Sequence, residues 1–568
     1  MIKDKKDDSP IYRLLVIQTE SLERQFQSLM ALSAARRLYP QLEIYFLTDR
    51  DIAEPVRSVS WIKQVYEIDS KKLIKPIILG HLKPNQVIGE LSKELKPVIN
   101  TAWDFIFNWS YSKSSSYLAA LIPALVKSGY TRSSDDKILM NDDWSQYFFS
   151  VIQNNYSQNI HAIDILTTQL LTTLQIYIGE SKKCENESVT SKMFFDKIEL
   201  DCPIVLWERT RHWVGVQYDH FSEKFEFKNF IETLLLRNPD CSIILFGNDK
   251  YKSEVEKMLN ESLFDSSRVI SEVGPLRFSR WASIIGECSA IITSDPKTSQ
   301  LASLLGTRVY YFASRGDDIF RSAPYGNGHV LVKGIKENKN SPEMLAQDVY
   351  EIWSYYSKRG FFKNESCLEV LQSKIRPLDE GGGVVYKEIT EGVLDFENWF
   401  SLVLGYVVRK WYCGWVPALG QELHRNQVDL KLIQEVRKLK EATSAFIKIT
   451  ENSIKILEKL KEKSSKLPSE SIMLLEDRYE IVSLNEQLQE SYLLIERLGG
   501  VQKPFNVLSD LLKGMMHNLK SDQISEMSHE ALRNFQKLKE AGEMIEDWVE
   551  YTLWLGKPQI ISSSVSIP

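Results

Sequence analysis

Cysteine is sparse in this chain and badly placed for chemistry. Its 568 residues hold six, Cys184, Cys202, Cys241, Cys288, Cys367 and Cys413, widely scattered and with no C-x-x-C pair. That spacing supplies neither a disulfide framework nor a zinc-ligand pattern, so a reducing cytoplasm is the expected compartment and no metal is expected. No apolar segment follows the charged start MIKDKKDDSP, so no secretory leader is expected. Charge of one sign is missing too. The formal net charge is -6 with Lys and Arg dispersed, which gives no electrostatic case for a nucleic-acid partner. Residues 396–419 are rich in aromatic and aliphatic side chains, but Arg409, Lys410 and Pro417 interrupt any membrane-spanning reading. A buried packing helix is expected there, with a helix lying on the inner face of the cytoplasmic membrane as the alternative. No Ser-His-Asp, P-loop or zinc pattern is present.

What is present is ordinary globular composition, 43% hydrophobic and 26% charged, in a chain long enough for two or three domains. Arg13 to Gln18 forms an apolar run fit for a buried parallel strand. It passes into a helix whose Leu22, Phe26, Leu29, Leu32, Ala35 and Leu38 share one face, ended by Pro40. Glu43 to Leu47 and Ile62 to Ile68 read as further strands, so the opening is a parallel doubly wound sheet. After the polar linker Glu180–Ser191 the alternation repeats, with strands at Trp213 to Gln217, Ser242 to Phe246, Val269-Ile270, Ala290 to Thr293 and Val309 to Phe312. The expected domains are therefore 1–180, 192–360 and, beyond the flexible joint Gly381-Gly382-Gly383, a helical module over 384–568. Within that module Leu432, Val436, Leu439, Phe446, Leu457 and Leu460 follow three-four spacing, weakened by Thr443, Thr450 and Ser453. A second helix ends at Gly499-Gly500, and two more follow.

The chain is organised around residues 289–312, SAIITSDPKTSQLASLLGTRVYYF, which read as strand, loop, helix and strand. A loop at the carboxyl end of a strand in an open α/β sheet faces the ligand crevice. The helix N-terminus beyond it offers N–H groups to an anion, so the segment is a candidate phosphate or nucleotide site. Ser110, Tyr111, Ser112 and Lys113 follow another apolar strand and form a second crevice-edge loop, with helix capping by Ser114 to Ser116 as its structural alternative.

These segments resemble glycosyltransferase family 9, the heptosyltransferases. Asp295, Leu301, Ala302, Gly306, Thr307 and Val309 match the family's nucleotide-sugar loop, while Pro296 and Lys297 stand where it has Thr-Gly and Gln300 where it has His. Residues 104–150 are similar to a branch with a Ser/Lys-rich turn. Residues 224–239 resemble a helix placing Glu223-Lys224 by the diphosphate, and 315–332 resemble the Pro-Tyr-Gly-x-Gly turn before the last strand. The resemblance spans about 13–358, where a helix over 343–358 would cross back to the first lobe. It implies the GT-B architecture of two Rossmann-like lobes, an inverting and metal-independent transfer, no cofactor, and a nucleotide-sugar donor such as ADP-heptose. It also implies a nucleotide-sugar site of Gln217, Lys224, Asp295, Lys297, Thr298, Ser299 and Gln300, facing an acceptor-side loop of Ser110 to Lys113. The family's proposed base, an Asp in a Gly-Asp pair, falls on Arg24, which cannot take a proton from a sugar hydroxyl. Glu20 and Glu23 are the carboxylates beside it.

Two functions follow. One is a glycosyltransferase of heptosyltransferase type acting on a bacterial glycan, such as lipopolysaccharide, or on a lipid-linked or protein acceptor. The other is a family 9 fold without turnover that binds or scaffolds through its helical tail, whose apolar seams over 422–555 suit self-association or a protein partner. Arg24, Lys297 and Gln300 weigh towards the second, and the loop frame with Asp295 towards the first.

Overall fold

The computed structural model describes residues 11–72, 84–133, 136–154, 160–178, 197–200, 212–218, 227–237, 239–261, 266–313, 319–333, 369–375, 384–388, 399–400, 403–404, 407, 428, 430–465, 475–501, 503–517 and 524–555. The linker Glu180–Ser191, Lys224, the helix over 343–358, Gly381 to Gly383 and most of 396–419 lie outside these. By packing the chain forms two compact units.

The first unit contains two predominantly parallel sheets. In the first lobe β1 (Tyr12–Ile17), β2 (Leu42–Asp49), β3 (Ile62–Ile68), β4 (Trp103–Asn108) and β5 (Ala124–Arg132) lie in the order β3-β2-β1-β4-β5. Between β1 and β2 runs α1 (Leu22–Leu38), with α2 (Pro84–Ile99) before β4 and α3 (Lys113–Leu121) after it. Leu14, Leu15, Val16 and Ile17 are all fully buried, as expected of a strand covered on both faces.

α1 departs from the one-sided pattern. Arg24 to Leu32 is buried all round, because the helix packs against α5 (Ala162–Ile178) and also against the second lobe. Most of its buried polar side chains find partners inside, although Gln25 Oε1 has none among the described residues. Gln25 Nε2 donates to Thr48 Oγ1 at 2.5 Å, Gln27 Nε2 to Arg321 O at 2.6 Å and Ser28 Oγ to Arg24 O at 2.8 Å.

The second lobe holds β6 (His212–Gln217), α6 (Phe227–Arg237), β7 (Cys241–Gly247), α7 (Lys252–Asn260), β8 (Val269–Val273), α8 (Phe278–Glu287), β9 (Ala290–Thr293), α9 (Pro296–Leu304), β10 (Arg308–Ala313) and β11 (Val330–Lys333). The sheet does not stop at the expected boundary of 360. β12 (Glu369–Ile375) and β13 (Val384–Glu388) add antiparallel at its edge, giving the order β13-β12-β11-β10-β9-β6-β7-β8. Phe26, Leu29 and Met30 of α1 share one apolar cluster with Phe278 of α8, Leu301 of α9 and Tyr325. Full burial of such a side chain contributes roughly 1.5–3 kcal/mol, so the lobes are joined by shared core as well as by buried hydrogen bonds such as that of Gln27 to Arg321 O. The two-lobed Rossmann-like architecture expected of the chain is present.

The second unit is helical, and it draws α4 (Asp143–Asn154) from within the expected first domain together with residues 391–568. Its long elements are α10 (Leu430–Ser465), α11 (Leu475–Val501), α12 (Lys503–His517) and α13 (Ile524–Leu555). α10 and α13 run antiparallel, pairing Lys440 with Glu550, Ser444 with Glu546 at 2.9 Å and Glu451 with Lys539 at 3.2 Å. α4 packs on α12, and Asp143 pairs with Lys537 at 2.9 Å. The polar seam residues Thr443, Thr450 and Ser453 are buried with their hydroxyls donating to carbonyls one turn back, so they cost less than their polarity suggests. Gly499 and Gly500 do not end α11, which continues to Val501. A Cβ on Gly499 would lie 2.8 Å from Asn506 Oδ1 and 3.3 Å from Asn506 Cα, so this glycine allows α11 and α12 to approach. Of residues 396–419, the described Trp399, Phe400, Val403, Leu404 and Val407 are buried, and Trp399 Nε1 donates to Thr552 Oγ1 at 2.9 Å.

Candidate functional site

In each sheet the strand order reverses once, between β1 and β4 and between β6 and β9, and ligands of open α/β sheets bind outside the carboxyl ends of strands at such points. At the first, the loops after β1 and β4 are stitched together. Gln18 Nε2 donates to Trp109 O at 3.0 Å, the Thr19 N–H to Ser110 Oγ at 2.6 Å, and both Ser110 Oγ and the Glu20 N–H to Gln18 Oε1 at 3.1 Å. Asn108 anchors this knot through Tyr130 O at 2.5 Å. The chain passes so close here that a Cβ on Gly129, at φ +93°, would sit 2.1 Å from Asn108 O.

Ser110 is therefore a buried brace. Ser112, rather than Ser114 to Ser116, caps α3 by accepting from the Ser115 N–H at 3.2 Å. Tyr111 is half-buried against Tyr130, and Lys113 is exposed.

At the second reversal Gln217 is buried and accepts from Thr293 Oγ1 at 2.6 Å; that hydroxyl in turn accepts from the Asp295 N–H at 2.9 Å. Asp295 is the N-cap of α9. Its carboxylate accepts from the N–H groups of Lys297 and Thr298 and from Thr298 Oγ1 at 2.8 Å. The helix end expected to be open to an anion is thus closed by a carboxylate, which complements the helix dipole itself. Lys297 is exposed, while Thr298, Ser299 and Gln300 are buried; Gln300 Nε2 donates to Ser322 O and Ala323 O at 3.2 and 2.7 Å. Ser294 Oγ, Ser299 Oγ and Gln300 Oε1 are buried without a hydrogen-bond partner among the described residues, and a polar ligand would compensate them. At Gly306, with φ +74°, the chain turns out of α9 into β10.

The two walls share one electrostatic environment. Glu20 and Glu23 lie in the loop after β1 and the first turn of α1, at the N-terminal end where carboxylates are favoured. Desolvation raises the pKa of Glu23, opposed by Arg24, Arg321 and Lys297 and reinforced by Asp295, so this side chain feels the second lobe. Glu20 is raised by the protein around it, opposed by Arg24, the Tyr111 N–H and Arg321. Arg24 is buried and donates to Gln27 Oε1 at 2.9 Å; burial and then Arg321 lower its pKa. Glu23 thus lies within electrostatic reach of Asp295, Lys297 and Arg321 of the second lobe, and Glu20 within reach of Arg321, whereas Gln217, Thr298 and Ser110 are tied into hydrogen bonds of their own lobes.

Sequence reasoning missed the residues that fix the lobes around the cleft. His161 accepts from the Ile163 N–H at 3.2 Å and donates from Nε2 to Ala323 O at 3.0 Å. Asp164 accepts from the Tyr325 hydroxyl at 2.7 Å and the Val384 N–H at 2.9 Å. A lone carboxylate in the apolar run AIDILTTQLL was the available signal, since such a group is buried only with partners.

Burial pushes His161 from 6.5 down to about 3 and His329 down to about 4. Between pH 6.5 and those values the unfolded chain holds protons that the folded chain refuses. Stability therefore rises with pH across this window and falls as pH drops through it, by up to about 1.4 kcal/mol per pH unit for each histidine. Urea midpoints at pH 7, 5.5 and 4.5 check this. His161→Gln, which cannot charge, flattens the dependence, and an unchanged slope would refute the assignment.

No family model and no curated protein matches the chain. Among solved structures it is similar to a family 9 glycosyltransferase from Veillonella parvula (14% identity, TM-score 0.41, 60% of this chain and 93% of that one). It is also similar to an E. coli heptosyltransferase determined with ADP (13%, 0.43, 60% and 99%). A UDP-GlcNAc 2-epimerase from Neisseria meningitidis is among the similar structures as well (11%, 0.31, 62% and 95%).

Proposed function

We propose that this protein is a glycosyltransferase of heptosyltransferase type, taking a sugar from a nucleotide diphosphate donor to a hydroxyl of a bacterial glycan, lipid-linked or protein acceptor. The observation that carries this reading is the shared environment of Glu23 with Asp295 and Lys297 across the cleft. Such transfer needs a base beside the acceptor hydroxyl and positive charge beside the departing diphosphate. Glu23 is the base, with Glu20 the neighbouring candidate, and Lys297 serves the diphosphate along with Lys224. Ser110 to Lys113 form the acceptor side, and Gln217, Thr298, Ser299 and Gln300 shape the donor pocket.

A panel of nucleoside diphosphates and their sugars tests donor binding. The matching ligand at one hundred times its Kd raises stability by about 2.7 kcal/mol through mass action. No thermal shift with any member at millimolar concentration removes the reading. The buried Arg24 and the capping role of Asp295 favour a second reading, binding without turnover, in which ligands shift the melting temperature but no donor is consumed.

A further inference from the structure

The positive charge of the cleft is placed unusually for a phosphate site. A helix N-terminus cradles anions with free N–H groups, but Asp295 already fills the end of α9. A phosphoryl group entering the cleft must therefore be held by side chains. Two guanidinium groups are the strongest candidates, one from each lobe: Arg24 in the first turn of α1, and Arg321 in the short helical turn Ile319–Ser322. The two residues are brought together by Gln27, since Arg24 Nη1 donates to Gln27 Oε1 at 2.9 Å and Gln27 Nε2 donates to the main-chain oxygen of Arg321 at 2.6 Å. Gln300 holds the same turn from the other side through Ser322 O and Ala323 O. The turn is thus positioned by α1 and α9 together.

Like charges held close in a desolvated place repel, and what relieves them is an anion between them. The Arg24 and Arg321 charges both reach Glu20 and Glu23 and oppose the rise that desolvation gives these carboxyls. A diphosphate carries more charge and accepts guanidinium forks in bidentate fashion.

We infer that Arg24 and Arg321 form a two-arginine grip, one member from each lobe, for the phosphoryl group of the ligand that enters this cleft. The inference rests on the donor reading above and names the residues that hold the donor's charge. In this account the arginine that displaces the expected base position changes what that position does, from taking a proton to binding an anion.

Calorimetric titration of the full chain with inorganic pyrophosphate, ADP and a nucleotide-sugar panel tests it, using the parent, Arg24→Gln and Arg321→Gln. Each variant is expected to bind pyrophosphate and ADP at least about tenfold more weakly, the scale of one lost charge-assisted contact of roughly 1.4 kcal/mol or more. Folded variants that bind within twofold of the parent overturn the grip, as does a parent that binds neither probe at millimolar concentration. Should Arg24→Gln fail to fold, the half-buried Arg321 decides alone. Nucleotide sugar bound equally by parent and variants keeps the donor reading and removes the grip. Pyrophosphate binding that the variants lose, with no nucleotide sugar bound, keeps the grip and removes the donor reading.

Discussion

A Glu23→Gln variant transfers sugar about 10² to 10⁴ times more slowly than the parent, equivalent to roughly 3–5 kcal/mol of barrier, the usual loss when a general base is removed. Glutamine keeps the size and much of the hydrogen bonding of the side chain but has no carboxylate to take the acceptor's proton. Desolvation holds the Glu23 carboxyl above its ordinary range, so parental activity falls as pH drops through that raised value and the variant loses this limb of the profile. Donor consumption across pH by parent, Glu23→Gln and Glu20→Gln separates the candidates. If Glu23→Gln keeps the parental rate while Glu20→Gln loses it, the base is Glu20. If Glu23 contributed only to the helix terminus, its replacement would appear as about 0.3–1 kcal/mol of stability with transfer intact.

The largest loss of stability is expected at Asp164. Its carboxylate accepts from the Tyr325 hydroxyl of the turn before β11 and from the Val384 N–H that opens β13. Asp164→Ala removes both acceptors from buried donors, each at a cost of roughly 1–3 kcal/mol, or about 2–6 kcal/mol in all. Tyr325→Phe removes one partner and costs about 1 kcal/mol. In a double-mutant cycle by urea denaturation the two changes are therefore strongly non-additive. Additive effects would show that the hydroxyl contact contributes nothing.

Strands such as LLVI and SIILF were legible because burial on both faces leaves an uninterrupted apolar run, and the helix between β1 and β2 because its apolar residues recur at helical spacing. The loop after β9 was legible for a related reason, since Thr-Ser-Asp-Pro stops a strand and starts a helix. What its aspartate does was not. The same residue that could meet a ligand also makes a good N-cap, and only the hydrogen bonds to the Lys297 and Thr298 N–H groups decide. Arg321, Gln27 and His161 were invisible because their partners lie 294 and 162 positions away, as with Gln27 to Arg321 and His161 to Ala323. Spacing along a chain carries no trace of such contacts. The domain boundaries slipped for the same cause: β12 and β13 were not expected as strands, because their pairing depends on β11, and α4 looks like part of the first lobe until α12 covers it.

The place of β13 at the edge of the second sheet, with its first N–H on Asp164, has a practical meaning for anyone dividing this protein. A chain cut at the glycine run 381–383 would lose the strand that covers β12, leaving an unprotected sheet edge of the kind that recruits other molecules. It would also strip Asp164 of a main-chain partner. Fragments ending there would aggregate for reasons unrelated to the helical unit they were made to remove, while a cut beyond Glu388 spares both the edge and the carboxylate.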